Sequence, residues 1–339
     1  MKKVPVEEAV GMVLCHDITQ IVPGKFKGRV FKKGHIIQKE DIETLLKLGK
    51  EQIYVGEIQA GMIHEDEAAI RIAKAVRGEN ITYDEPQEGK CLLRAARKGI
   101  LKINTSLLFQ INSLKDISVA ALPQNFILEE GQVFAGVRII PLLTEEENLS
   151  QVEDLCQKKG SIFFVKEYKK LKIALIITGN EVFRKRIKDR FSPIIRKKLK
   201  YFPAQCLGKT FCPDDQEEIK KAILYYQQRG VDLLILTGGM SVDPDDLTPR
   251  AIRESGAKVI TYGIPVQPGN MFMLAYLEDI TLLGIPGCVM YYRTTILDVV
   301  LPRIFIGEVF RKEDFIEMGE GGFCLSCSTC HYPGCFFCR

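Results

Sequence analysis

No stretch of the chain comes near the roughly 18 consecutive apolar residues that a membrane span needs. A spanning helix is therefore not expected in these 339 residues, and no membrane partner is expected. The N-terminus, MKKVPVEEAVG, has two lysines but no apolar h-region, so it does not read as a signal peptide, and a cytoplasmic protein is expected. Net charge is nearly absent. The 47 Lys and Arg against 43 Asp and Glu leave +4, too little to point to nucleic acid by itself. Repeats and low-complexity tracts are missing too. What is present suits a soluble globular chain of two or three domains: 46% apolar residues for cores and 27% charged residues for surfaces.

Cysteine is plentiful, with 11 in all. Cys15, Cys91, Cys156, Cys206, Cys212 and Cys288 are scattered, and most read as buried thiols. The other five fall in the last sixteen residues, a clustering that suits a metal site better than a disulfide framework.

The pattern along the chain divides into four segments. Residues 1–58 read as a small β-rich module, with a helix in QKEDIETLLKLGK and a strand in EQIYVGEI. Residues 59–165 read as an α+β module. Its amphipathic helix, EDEAAIRIAKAVRG, is followed by weaker strand signals and then by a polar linker helix, TEEENLSQVEDLCQKKG, whose acidic first turn suits the helix dipole. Residues 166–311 alternate strands with helices, and residues 312–339 form a cysteine-rich tail expected as a separate unit.

In the 166–311 segment, KIALIITG, AQCLGKT, VDLLILTGG, AKVITYGI, MFMLAYL and ITLLGIPG read as strands. Helices are predicted at SPIIRKKLKYF, with Ser192 as N-cap, and at DDQEEIKKAILYYQQRG, with Asp215 as N-cap and Glu218 completing a capping box. Two more are predicted at TPRAIRESG, with Thr248 as cap, and over CVMYYRTTILDVVLPRIFIG as one long helix. Alternation predicts an α/β fold, a three-layer αβα domain with a mostly parallel sheet. Two residues join MFMLAYL to ITLLGI, so the sheet is expected to be mixed.

Ligands of open α/β sheets bind beyond the carboxyl ends of the strands. Three strands end there in small residues: ITGNE at 177–181, LTGGMS at 236–241 and GIPG at 284–287. Glycines let a ligand approach the backbone and its N–H groups. Carboxylates gather beside them. Asp243, Asp245 and Asp246 follow the second turn, Glu181 and Asp189 the first, and Asp214 and Asp215 begin a helix. Such carboxylates suit Mg²⁺, the amino groups of a heterocycle, or proton transfer. Asp215 also fits plain capping, and Asp243 and Asp245 fit a solvated turn.

The ordered set TGNEV, Asp189, PDD at 213–215, TGGMSVDPDDLT, PVQPGN and GIPG resembles the MoeA/MogA (gephyrin-like) molybdopterin-binding domain over about residues 168–308. The resemblance implies a pterin phosphate ligand in the crevice, molybdopterin or its adenylate, with molybdate and Mg²⁺. It implies that Thr178, Gly179, Gly238, Gly239 and Ser241 hold phosphate and pterin, with Asp246 the main functional carboxylate. Glu181, Asp189 and Asp214 would line the site, and Pro268, Gly269, Pro286 and Gly287 would shape its far wall. The family's PGKP turn reads Pro268-Gly269-Asn270-Met271 here, without its lysine, and Asp243 replaces a signature glycine. Two functions follow: a molybdenum transferase of cofactor assembly, or a non-catalytic carrier or sensor serving a client molybdoenzyme. A homo-oligomer is compatible with either.

Two features lie outside that pattern. Residues 184–200 hold nine Lys or Arg against one Asp, either a solvated face or a field that draws an anion such as molybdate. The stretch has no aromatic platform for nucleic acid. In the tail, Cys324, Cys327 and Cys330 are spaced C-x2-C-x2-C, followed by His331, Cys335 and Cys338. Two intervening residues let neighbouring thiolates face one centre, which suits Zn²⁺ or a [4Fe–4S] cluster. Cys324, Cys327, Cys330 and Cys335 are the expected ligands, with His331 and Cys338 spare.

Overall fold

A computed structural model describes residues 1–56, 60–241 and 246–338. The chain separates into two compact units. The first is built from Met1–Arg97, Ile103–Leu122 and Glu130–Val165; the second is built from Lys98–Lys102, Pro123–Glu129 and the chain from Lys166 onward. No helix among the described residues is long and apolar enough to cross a membrane. The sequence-based division at 58, 165 and 311 stands as a proposal about folding units, which limited proteolysis would test.

The first unit opens with strands Lys2–Pro5 and Gln52–Val55 paired antiparallel and a hairpin of Ile18–Val22 with Phe26–Phe31. Val6, Leu14, Ile37, Leu45 and Ile53 form a small core beneath them. A four-stranded antiparallel sheet follows, built from Ile81–Tyr83, Lys90–Ala95, Val133–Ile139 and Ile117–Ala121 in that spatial order. The predicted amphipathic helix is present at Glu65–Val76, and the polar one at Glu146–Lys159. Arg71 joins them with paired hydrogen bonds to Glu146 and Glu153, all between 2.7 and 2.8 Å.

Elements of the α/β part of the second unit are β1 (Leu171–Thr178), α1 (Phe191–Leu199), β2 (Ala204–Cys212), α2 (Gln216–Gln228) and β3 (Leu233–Thr237). They continue with α3 (Thr248–Glu254), β4 (Lys258–Tyr262), β5 (Met273–Leu277), β6 (Ile280–Ile285) and α4 (Ile296–Phe305). The six strands lie in the order β2-β1-β3-β6-β5-β4. β2, β1, β3 and β6 are mutually parallel, and β5 runs antiparallel to both β6 and β4. This is the mixed, mostly parallel αβα sheet read from the alternation.

Strand period 2 sorts the side chains of β1. Ile173, Leu175 and Ile177 face one layer with Ile195 of α1 and Leu297, Val300 and Ile304 of α4. Ala174 and Ile176 face the other, with Ile219 and Ile223 of α2 and Ile252 of α3. Both faces are dry, which explains the near-continuous apolar runs.

Three local readings change. Ser192 lies inside α1 rather than capping it; Asp189 accepts the Ser192 N–H at 3.0 Å, three residues upstream. Thr248 is the first residue of α3, and its hydroxyl turns back to the Gly238 carbonyl at 2.8 Å. The predicted long helix splits into a 3₁₀ turn, Gly287–Met290, and α4, because Thr295 and Asp298 close a capping box that starts the helix afresh. Asp215 does cap α2, accepting the Glu218 N–H at 3.0 Å, but Glu218 completes no capping box: the Asp215 N–H goes to Pro213 O and the Glu218 carboxylate accepts from Lys221 Nζ at 2.8 Å.

The tail packs on the α1–α4 face of the sheet. Phe315 and Phe337 are each 1% exposed within that core. Gln267 donates its N–H to Gly322 and accepts from the Cys324 N–H, both at 2.8 Å. Apolar residues and backbone pairing, as well as any metal, therefore order this segment.

Candidate functional site

Chain direction reverses between β1 and β3. From β1 the chain moves outward to β2, then crosses back to β3 on the other side of β1. In open α/β sheets such a switch point is where a ligand crevice lies, here at the carboxyl ends of β1 and β3, where Thr178-Gly179 and Thr237-Gly238-Gly239 emerge.

Hydroxyls hold this edge together. Thr178 Oγ1 lies 3.3 Å from the Thr237 carbonyl, to which it donates, and 3.2 Å from Thr248 Oγ1. Thr248 in turn donates to Gly238 O. Gly238 has φ +94°, and a Cβ placed there would stand 2.2 Å from the Thr178 carbonyl oxygen. Only glycine fits, so the turn presents bare backbone at the crevice. Tyr262 braces the next residues, donating to Met240 O at 3.3 Å and Ser241 O at 3.1 Å. The Arg253 guanidinium lies over its ring, 5.4 Å from the centroid. Thr237 Oγ1 is fully buried and has no hydrogen-bond partner among the described residues. Leaving a buried hydroxyl unsatisfied costs about 1–3 kcal/mol.

Asp246 is half-buried beside this turn and makes an interaction of its own. Burial, and then the charge of Asp246, push the Tyr262 phenol above its ordinary value, so Tyr262 remains a donor at neutral pH. Asp243 and Asp245 lie outside the described residues. Ser241 is exposed at the end of the turn.

At the β1 end, Gly179 adopts φ +135° and donates to Cys212 O at 3.2 Å. Asp214 accepts the Asn180 N–H at 2.8 Å, fixing the start of the short helix Asn180–Phe183. Glu181 is exposed with its carboxylate against Gly179. Asp189 is differently used. It takes the Ser192 N–H and pairs with Lys209 Nζ at 2.9 Å, tying α1 to the edge strand β2. Burial raises its pKa, but these hydrogen bonds and the lysine charge outweigh it, and the carboxyl sits below its ordinary value.

Pro268 accepts from the Ile296 N–H at 3.4 Å. Gly269 is buried against Ile296, where a Cβ would meet Cγ2 at 2.5 Å, so this glycine serves packing on α4. Pro286 is half-buried, and Gly287 is exposed with open space around it. Of the predicted residues, the fold gathers Thr178, Gly179, Gly238 and Gly239 at the switch point, with Asp214 and Glu181 on the β1 turn. Thr248, Tyr262 and Arg253 are additions that sequence reading missed. A threonine before Pro249, read as a cap, was the only signal of the first.

The tail has a cavity of its own, about 330 Å³, lined by Cys324, Cys327, Cys330 and Cys335 with His331, Thr294 and Arg293. Cys338 lines a different cavity, with Arg303 and Glu317. Among the described residues, no three His, Cys, Asp or Glu side chains converge closely enough to hold one metal ion.

Residues 174–305 match a family described as a probable molybdopterin binding domain, and residues 3–57 match a domain of unknown function. A molybdopterin molybdenumtransferase of Synechococcus elongatus is 24% identical over 157 residues, covering 43% of this chain and 39% of that protein. A CinA-like protein of Mycobacterium tuberculosis is 31% identical over 78 residues, covering 23% of this chain and 18% of that one. The chain thus spans well under half the length of these relatives. Among solved structures, the molybdopterin biosynthesis enzyme MoaB of Thermus thermophilus is 19% identical, with a TM-score of 0.32, covering 42% of this chain and 99% of that one. The molybdopterin biosynthesis MoeA protein of Pyrococcus horikosii is 13% identical, with a TM-score of 0.34, covering 92% and 76%.

Proposed function

We propose, from the premise that residues 174–305 are a domain of the MoeA/MogA-like molybdopterin-binding family, that the chain binds molybdopterin or its adenylate as part of molybdenum cofactor biosynthesis. The Gly238-Gly239 turn at the switch point carries this reading, with its bare backbone fixed by Thr178 and Thr248 and the orphaned Thr237 hydroxyl at its root. A pterin phosphate would lay its phosphate against that backbone. The half-buried Asp246 would hold Mg²⁺ or meet the heterocycle's amino groups, and Glu181 and Ser241 would close the rim. In this reading Asp189 is a positioning residue for α1.

The finer reading is a molybdenum transferase that inserts molybdate with Mg²⁺. A carrier or sensor that delivers the finished cofactor to a client molybdoenzyme is the second reading, favoured by Asn270, exposed where the family has a lysine. In both, the cysteine tail holds Zn²⁺ or an iron–sulfur cluster, and a homo-oligomer is compatible with either.

The test is direct. Protein purified without oxygen is denatured and oxidised, and the released pterin is measured by fluorescence. Stoichiometric pterin that disappears in Gly239→Val supports the site; equal pterin in both proteins overturns it. Magnesium-dependent incorporation of molybdate into adenylated molybdopterin then separates a transferase from a carrier.

A further inference from the structure

We infer that the tail cavity is the seat of a [4Fe–4S] cluster ligated by Cys324, Cys327, Cys330 and Cys335. The inference rests on the metal-binding reading of the tail given above and chooses between its two metals.

Number and placement of sulfurs come first. Five cysteines stand in the tail, but only four line the cavity of about 330 Å³; Cys338 lines another. Four thiolates are what a cubane cluster takes, one to each iron. Size comes second. A single zinc gathers its sulfurs about 2.3 Å from one point, whereas these four cysteines line a cavity of about 330 Å³. Among the described residues, no three ligand side chains converge on one ion. The C-x2-C-x2-C spacing of Cys324, Cys327 and Cys330 is one that iron–sulfur clusters use.

The surroundings agree. A cluster held by four thiolates is an anion, and donors aimed at its sulfurs stabilise it and set its potential. Thr294 Oγ1 lies 3.0 Å from Cys330 Sγ, and the Ser326 N–H lies 3.5 Å from Cys324 Sγ. Arg293 brings a guanidinium to the same wall, donating to Ser328 O at 3.2 Å. Tyr291 and Tyr292 line the cavity too. On assembly each thiol gives one proton to solvent as its Fe–S bond forms, with two ferrous ions, two ferric ions and four sulfides supplied from outside the chain, so that no electron is gained or lost.

The cavity also has a neighbour. Its loop, 291–294, follows directly on the Pro286-Gly287 turn, and Cys324 is hydrogen-bonded to Gln267, beside Pro268. A cluster would therefore pin the tail to the two turns that the family resemblance places on the crevice's far wall.

The full-length chain is reconstituted without oxygen using iron and sulfide, desalted, and assayed for iron, acid-labile sulfide and zinc, with an electron paramagnetic resonance spectrum after dithionite. About four irons and four sulfides per chain, with a reduced-cluster signal, are expected. Cys327→Ser and Cys330→Ser, at exposed positions, should lose the signal while keeping the parent near-ultraviolet circular dichroism. Cys338→Ser should keep the cluster. Stoichiometric zinc without sulfide, iron without sulfide, or an equal loss in Cys338→Ser would each overturn the assignment. Pterin is scored on the same samples, so a cluster without pterin sinks the proposed function and leaves this site standing, and pterin without a cluster does the reverse.

Discussion

The switch-point crevice edge and the tail cavity both belong to the second unit, but they are made of different material. The crevice is backbone. Its turn is fixed by Thr178, Thr248 and Tyr262 before any ligand arrives, and glycine is required because a carbonyl oxygen occupies the space of a Cβ. The tail cavity is side chain. Its sulfurs stand around an opening, held by a few hydrogen bonds and by the apolar anchor Phe337. A pocket built from backbone is costly to alter and complete early. One built from thiols is defined by what it binds.

The largest expected effect tests the anchor. Phe337→Ala should lower stability by about 3 kcal/mol, since a buried phenyl leaves a cavity in the α1–α4 core. Urea unfolding measures it, and a loss below about 1 kcal/mol would mean that the tail rests on the sheet without belonging to it. Next is the backbone. Gly238→Ala should cost about 2–3 kcal/mol through its positive φ and its collision with the Thr178 carbonyl. It should abolish pterin retention while leaving tail metal intact, and simultaneous loss of both would collapse the distinction between the pockets. Thr248→Val should cost about 1–2 kcal/mol by leaving Gly238 O unpaired. Asp246→Asn should change stability by under about 1 kcal/mol yet impair cofactor handling, because it removes charge and keeps shape. Parent-like turnover and binding in that variant would remove Asp246 from the site.

The smallest effect is one of pH. Asp189 has a folded pKa below its unfolded value, so its stabilisation is present above about pH 4 and is lost as pH falls through the folded value. Asp189→Asn should flatten the acid limb of stability without moving pterin affinity. A shifted affinity would return Asp189 to the crevice.

Much of this architecture was legible. Alternation gave the mixed parallel sheet, and Asp215 was readable as a cap because its partner N–H is three residues away. The glycine turns were legible as places where backbone is bare. Their supports were not, because Thr178, Thr248 and Tyr262 meet across three separate elements and carry no spacing to read. α1 misled for a local reason. Serine before proline looks like a cap, but Asp189, also in reach, is a stronger acceptor and has Lys209 to hold it. The packing of the tail was not legible, because its cysteines drew the reading to metal. Phe315 and Phe337, which bury it, follow no period.

The backbone pairing of Gln267 with Gly322 and Cys324 also has a kinetic side. These partners are far apart in sequence, and during synthesis the six strands and α4 are made before the segment that covers them. Val266, Phe272 and Phe310 share the core that Phe337 completes, so one flank of the sheet stays apolar and open until the last contacts form. Long-range closure of this kind is slow, and the exposed flank is where a nascent chain would aggregate or recruit a chaperone.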